Sequence, residues 1–201
     1  MENLKQPRIG CLIMAAGNAS RFRNNKLAAE FQGKSLIRHA LEAVPKALFS
    51  QVVVVTQYPE VEALAAEFGF EAIRNKHPDY GISHTICLGT QAMEDCSAIL
   101  YMVSDQPLLD DASVKRVVEC WCKNPRNIVG AAHKGKRGNP CIFPREFFPE
   151  LLDLKEDQGG NTVIRKHPER LLTVEVAELE LTDVDTPEAL DALKKQSEGS
   201  A

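Results

Sequence analysis

Three continuous apolar runs punctuate this chain: Ile9 to Ala15, Val52 to Val55 and Ala98 to Val103. None alternates with polar residues as a half-exposed strand would, so each predicts a strand buried on both faces, as in a parallel sheet covered by helices. Between them the apolar spacing changes to 3.6. Leu36, Ile37, Ala40, Leu41 and Val44 predict a helix over Ser35 to Phe49, with Ser35 as N-cap and Pro45 ending or kinking it. Pro59 to Phe68 reads as a helix closed by Gly69, Phe70 to Arg74 as a short strand, Asn75 to Gly81 as a turn-rich loop and Ile82 to Met93 as a helix. Further on, the pattern predicts a helix over Asp110 to Lys123, a strand over Asn127 to Ala132, and a short strand over Pro140 to Phe143 after a loop rich in Gly and Lys. A helix near Phe147 to Leu154, a break at Gly159-Gly160, a short helix to Lys166 and a strand over Leu171 to Val176 follow. Pro187, at a helical N1 position, starts a terminal helix to Lys195.

Strands alternating with helices along the whole length predict an α/β fold, a Rossmann-like three-layer sandwich with a mostly parallel mixed sheet. With no internal repeat and no linker-like stretch, residues 1–195 are expected to form a single domain, and residues 196–201 a disordered tail.

Composition narrows the partners. The 201 residues are 44% hydrophobic and 26% charged, which is the balance of a folded globular chain rather than a disordered one. A net charge of -4 disfavours a broad basic face for nucleic acid, while leaving room for a local pocket that binds phosphates. The apolar runs are far shorter than the ~20 residues of a membrane span, and the N-terminal residues lack the apolar core of a secretory signal, so a cytoplasmic protein with neither nucleic acid nor membrane as partner is expected. The six cysteines contain no Cys-x-x-Cys pair and sit mostly in apolar segments, where a reduced thiol behaves as a small hydrophobe.

Ligands of open α/β sheets bind beyond the carboxyl ends of the strands, so the polar residues there are the candidates. After the first strand come Ala15, Ala16 and Gly17, then Ser20, Arg21, Arg23 and Lys26: small residues that let backbone N–H groups approach an anion, and cations to neutralise a polyphosphate. This is neither a dinucleotide-binding G-x-G-x-x-G nor a Walker A sequence, and a solvated basic loop is the plainer alternative. After the middle strand come Ser104 and Asp105, the latter a carboxylate held before Pro107 and suited either to Mg²⁺ or to an Asx-turn. Near the end, Asp183 and Asp185 alternate about Val184, so an extended backbone would turn both to one side; Asp185 and Thr186 are equally good N-caps for the helix at Pro187.

Taken together, Ala15-Ala16-Gly17 with Arg21 and Lys26, Asp105-Gln106-Pro107, and Asp183-x-Asp185-Thr186-Pro187 resemble the MobA/MocA-like nucleotidyltransferases, most closely their molybdenum cofactor cytidylyltransferase branch. Asn75 through Gly81 to Gly89, Gly135 to Pro140 and Asp157 to Gly160 extend the resemblance over roughly residues 8 to 195. Departures are local: Ala19 stands at the family's first-loop serine, Phe22-Arg23 replaces Met-Gly, and Thr85 replaces a later serine.

The resemblance implies a fold of the nucleotide-diphospho-sugar transferase type and transfer of CMP from CTP to the terminal phosphate of molybdenum-bound molybdopterin, with pyrophosphate released. It implies Arg21, Lys26 and Asp105 as catalytic residues. Ala15, Ala16, Gly17, Ser20, Asn75, Gly81 and Ser104 would bind nucleotide with Arg21 and Lys26. Asp105 and Asp185 would hold Mg²⁺, with Mn²⁺ as the alternative ion, and Asp183 is the second choice of ligand. His84, Thr85, Gly138 and Pro140 are candidates for the acceptor, and an apo molybdenum hydroxylase is the implied recipient of the product. His84 and Thr85 open the helix at Ile82, whose N-terminus would attract anions, and Lys134, Lys136 and Arg137 read as a basic flap over the acceptor phosphate. A transferase using GTP or a sugar phosphate, and a non-catalytic nucleotide- or cofactor-delivery protein, are the rival readings.

Overall fold

The structure, a computed structural model, describes residues 7–17 and 25–198. Strand β1 (Ile9–Ala15) leads to a two-residue hairpin, β2 (Glu30–Phe31) and β3 (Lys34–Ser35), and then helix α1 (Leu36–Glu42). After β4 (Gln51–Thr56), α2 (Pro59–Glu67), β5 (Glu71–Arg74), α3 (Ile82–Ala92), β6 (Ala98–Val103) and α4 (Asp111–Lys123) alternate. The remainder is β7 (Ile128–His133), β8 (Lys136–Pro144), α5 (Phe148–Leu152), α6 (Asn161–Lys166), β9 (Leu171–Glu175) and α7 (Pro187–Glu198).

Seven strands form one sheet in the order β5-β4-β1-β6-β8-β7-β9. Its β1, β4, β5 and β6 are mutually parallel, β9 runs parallel to β7, and β8 is antiparallel to both β6 and β7. Successive strand residues point to opposite faces, which divides the core. Cys11, Ile13, Val52, Val54, Leu100 and Met102 pack against α1, α2 and α4 on one side. Leu12, Val53, Val55, Ile99 and Tyr101 pack against α3, α5 and α6 on the other. The result is the Rossmann-like three-layer sandwich with a mixed, mostly parallel sheet. A third cluster joins Phe31 and Leu36 to Val184, Leu190 and Leu193 of the terminal segment.

Several elements depart from the sequence pattern, the unpredicted β2–β3 hairpin among them. Helix α1 stops at Glu42, because Pro45 excludes a continued helix and the chain passes instead into a short 3-10 turn at Lys46–Leu48. Strand β8 starts at Lys136, four residues before the expected Pro140: Lys134 (φ 47) and Gly135 (φ 81) make a tight two-residue hairpin turn, so His133 pairs with Lys136 and the expected loop is the tip of an ordered β-hairpin. Helix α7 continues to Glu198, past Lys195, with Thr186 Oγ1 accepting from Ala189 N–H at 3.1 Å as its cap. Thr186 thereby does the capping that Asp185 could have done. Cys11, Cys96 and Cys141 are buried free thiols, burial pushing Cys141 up to about 12, as expected of structural cysteines, whereas Cys87 and Cys120 are half-buried and Cys122 is exposed.

Gly89 fixes how close α3 lies on the sheet, since a Cβ there would fall 2.3 Å from Leu12 Cδ1, whose side chain is fully buried. Gly89→Ala is expected to cost about 1–3 kcal/mol by overpacking and to lower Tm by roughly 3–10 °C in a thermal melt; an unchanged Tm would mean that α3 can slide off β1 freely.

Candidate active site

Beyond β1 the chain is tied to the end of β4 through its carbonyls. Thr56 Oγ1 donates to Ala15 O at 2.9 Å, Gln57 Nε2 to Ala16 O at 3.0 Å, and the Tyr58 hydroxyl to Gly17 O at 3.0 Å. Ser104 Oγ, at the end of β6, donates to Met14 O at 2.9 Å and ties the neighbouring strand ends together. Ser20 and Arg21 lie outside the described residues. The chain re-enters at Asn25, which caps a 3-10 turn by accepting from Leu27 N–H and is itself anchored through Nδ2 to Glu60 Oε1 at 2.9 Å.

That turn aims Lys26 between two carboxylates. Its Nζ donates to Asp105 Oδ2 at 2.7 Å and to Asp185 Oδ1 at 3.1 Å. Burial alone would push the ammonium pKa down, but Asp105 and then Asp185 outweigh it and leave the value raised, so Lys26 is charged throughout the neutral range. Asp105 and the 183–185 segment are locked in register by the main chain, Val184 N–H donating to Asp105 O at 2.9 Å. Val184 is itself 0% exposed in the third cluster, which turns Asp183 and Asp185 away from the core on either side of it. Asp183 Oδ1 accepts from Gln106 Nε2 at 2.9 Å; partial burial, then the neighbouring charge of Asp105, pushes its pKa up.

Two connected lobes open beyond these strand ends. The smaller, of 430 Å³, is lined by Ala16, Gly17, Lys26, Gly81, Thr85, Ser104 and Asp105 among others. The larger, of 1030 Å³, has a floor of Met14, Ile86, Tyr101, Val103 and Phe143 and a rim carrying Lys134, Lys136, Arg137 and Arg165. Met14, Ile82, Val103 and Asp157 line both.

The other candidates separate into lining and supporting groups. Gly81, with φ 81 and a hypothetical Cβ 2.3 Å from the Glu156 backbone, lets loop and helix meet at the smaller lobe. Asn75 is buried behind the wall, where Nδ2 donates to Thr85 Oγ1 at 3.2 Å and Oδ1 accepts from His77 N–H at 2.9 Å, so it braces the start of α3 instead of lining a lobe. His84 is corrected as an acceptor residue: it is half-buried, its ring packs 5.4 Å from that of Tyr80 and 6.1 Å from that of His77, and it lines neither lobe. The first turn of α3 is also less free to bind an anion than its sequence suggests, because Ser83 N–H already donates to Glu156 O at 3.0 Å. Gly138 lines the larger lobe, where a Cβ would come 2.9 Å from Leu181 Cδ2, whereas Pro140 is buried beside it outside the lining. Sequence reasoning missed Gln106, Asp157 and Arg165 as lining residues; Gln106 and Asp157 lay inside the quoted motifs with no role attached, and Arg165 gave no signal beyond its charge.

Among the described residues, no group of three or more His, Cys, Asp or Glu side chains could enclose a metal by itself. Asp105 and Asp185 nevertheless fit Mg²⁺, a hard ion bound through one or two carboxylates together with substrate phosphates and water. The specific sign is Asp105 Oδ1, a buried carboxylate oxygen without a hydrogen-bond partner, while Oδ2 already faces a cation.

A nucleotide-sized lobe at the carboxyl ends of a doubly covered mixed sheet, joined to a larger lobe across a cation–carboxylate junction, defines a nucleotide-handling α/β protein. The sequence profile of the MobA-like NTP transferase domain matches residues 11–171, and the chain belongs to that family. It is accordingly a nucleotidyltransferase. The chain is 24% identical to the purine catabolism protein PucB of Bacillus subtilis, over 96% of this chain and 98% of PucB. It is 23% identical to the 3-deoxy-manno-octulosonate cytidylyltransferase of Neisseria meningitidis, over 91% of this chain and 83% of that protein. The fold superposes with a TM-score of 0.81 on a nucleotidyl transferase from Methanothermobacter thermautotroptrophicus, at 20% identity and 96% and 99% coverage of the two chains. A Mycobacterium tuberculosis protein solved in complex with manganese superposes with a TM-score of 0.75, at 19% identity and 94% and 98% coverage.

If the Lys26 ammonium and a divalent ion compete for the same oxygens, Lys26→Met is expected to strengthen nucleotide-free Mn²⁺ binding by roughly tenfold or more, since removing a like charge this close is worth over a kcal/mol even when screened. Calorimetric titration checks this. Equal affinity in both proteins would mean that the ion does not use Asp105 and Asp185.

Proposed function

We propose that the protein transfers CMP from CTP to the terminal phosphate of molybdenum-bound molybdopterin and releases pyrophosphate. The observation that carries this reading is the Lys26 bridge to Asp105 and Asp185, lying where a small lobe meets a larger one with an apolar floor and a basic rim. The nucleotide occupies the smaller lobe, against Ala16, Gly17, Gly81 and Ser104, with Ser20 and Arg21 of the first loop assigned to its phosphates; Ala15, expected to bind nucleotide, is fully buried at the end of β1 and supports this wall from behind. The acceptor lies in the larger lobe, its flat ring on the apolar floor and its anionic groups toward Lys134, Lys136, Arg137 and Arg165.

An oxygen of the acceptor's terminal phosphate attacks the α-phosphorus of CTP in line, a new P–O bond forms, and the bond to the β-phosphate breaks to release pyrophosphate. The reacting oxygens supply both bonds, so the protein positions and neutralises charge, and no side-chain nucleophile is required. Mg²⁺ held by Asp105 and Asp185, with Mn²⁺ as a substitute, supplies charge neutralisation at the α-phosphate when bound. Lys26, released from the carboxylates, takes the triphosphate, and Arg21 of the first loop shares in neutralising it. Two features support cytidine: a cytidylyltransferase among the relatives, and the Cβ of Ala16, which is buried at the wall of the smaller lobe. The purine catabolism setting of PucB fits a purine-oxidising molybdenum hydroxylase as recipient of the product.

A panel of the four NTPs with purified acceptor, scored by pyrophosphate release, tests the reading. CTP is expected to exceed GTP by roughly ten- to two-hundredfold in kcat/KM, the range in which a packed pocket rejects an added bulk of a methyl group or more, and Ala16→Gly is expected to narrow that gap. Equal use of GTP by the wild type would remove the cytidylyl assignment and leave nucleotidyl transfer standing. Asp105→Asn is expected to lower kcat by about 100-fold at saturating Mg²⁺, the scale of losing one transition-state electrostatic contact; near wild-type turnover would remove Asp105 from the chemistry.

A further inference from the structure

The larger lobe contains a polar group that nothing among the described residues satisfies. Gln106 follows Asp105 directly, lines this lobe and is only 3% exposed. Its amide is oriented by one contact: the Gln106 nitrogen donates to Asp183 Oδ1 at 2.9 Å, so the nitrogen faces Asp183 and the carbonyl oxygen faces elsewhere. That oxygen, Oε1, is buried without a hydrogen-bond partner. Among the described residues, it is the only buried side-chain oxygen or nitrogen without a partner that belongs to a residue lining the larger lobe. Buried polar atoms are nearly always satisfied, and one that is not, in a binding lobe, marks where a ligand's complementary group goes.

We propose that Gln106 Oε1 is a specificity element for the acceptor, taking a hydrogen bond from a ring N–H of a phosphorylated nitrogen heterocycle, with Asp183 as the residue that holds the amide in the accepting orientation. The inference rests on the acceptor reading given above and deepens it. A carbonyl oxygen accepts only, so the ligand supplies the donor. The surrounding floor of Met14, Ile86, Tyr101, Val103 and Phe143 offers a face for a flat ring, and the Tyr101 hydroxyl is already engaged with Thr90 Oγ1 at 2.8 Å. A sugar phosphate would bring several hydroxyls onto this floor, each needing a partner, whereas a heterocycle needs one acceptor at one edge. Sites built to accept a specific hydrogen reject the analogue that lacks it, because the buried oxygen is then left unpaired.

The test pairs a change in the protein with a change in the ligand. Dissociation constants are measured calorimetrically for a phosphorylated pterin, for the same compound with the ring N–H methylated, and for a hexose phosphate, on the wild type and on Gln106→Met, with Mg²⁺ and CTP binding as a control of the smaller lobe. Expected are roughly ten- to a hundredfold weaker binding of the pterin phosphate to Gln106→Met, a similar loss on methylation in the wild type, and no difference between the two pterins on Gln106→Met, with CTP binding unchanged. If Gln106→Met fails to fold, the methylated ligand on the wild type decides alone. Equal binding of both pterins to the wild type would overturn the role of Gln106 while leaving the acceptor reading intact. Binding of hexose phosphate with no binding of pterin phosphate would overturn both.

Discussion

A single main-chain hydrogen bond, from Val184 N–H to Asp105 O, brings together segments distant in sequence and with them three carboxylates. Asp105, Asp183 and Asp185 would repel one another without compensation, and the fold answers each differently. Lys26 bridges Asp105 and Asp185; Gln106 holds Asp183, whose carboxyl is pushed toward its neutral form by burial and by Asp105. The same concentration of negative charge suits a divalent ion, and on the proposed reading such an ion would neutralise the carboxylates and leave the Lys26 ammonium for the phosphates. The rest of the molecule serves this junction: the buried side chain of Val184 anchors the acidic pair, and the capped turn at Asn25 delivers Lys26.

Much of the sheet was legible in sequence because its central strands are buried on both faces and therefore read as unbroken apolar runs. Ile9 to Ala15 and Ala98 to Val103 are strands over the bounds their composition indicates. The cap of α1 was equally plain, Ser35 accepting from Arg38 N–H. What escaped was decided by tertiary contact. The β7–β8 turn consists of Lys134 and Gly135, and nothing in that dipeptide reveals that the strand resumes immediately; the register is set by pairing with β6 and β7. Whether His84 lined a lobe depended on tertiary packing, and its ring is taken up by contacts with Tyr80 and His77.

At the site, the acidic and basic residues could be picked out by type and position, since strand ends gather polar residues for a reason. Their partnerships could not. Sequence offered Asp185 and Thr186 as equal caps, and the hydrogen bond from Ala189 N–H selects Thr186, which leaves Asp185 to Lys26. Gln106 escaped for a different reason: an amide beside a conspicuous aspartate carries no charge pattern, and only the accounting of buried hydrogen bonds exposes its unmet oxygen.

The Lys26–Asp185 bridge spans 159 positions of sequence, and the cluster that covers Val184 includes Leu190 and Leu193 of α7. A chain emerging from the ribosome therefore builds β1, β4 and β6, and the strand ends that shape the smaller lobe, well before it has the second carboxylate or the helix that steadies it. The bridge that joins Lys26 to both carboxylates closes only after the terminal segment has docked. Maturation of activity thus lags behind maturation of the sheet, and truncation within α7 would leave a protein with its central strands intact and its reactive junction unsecured.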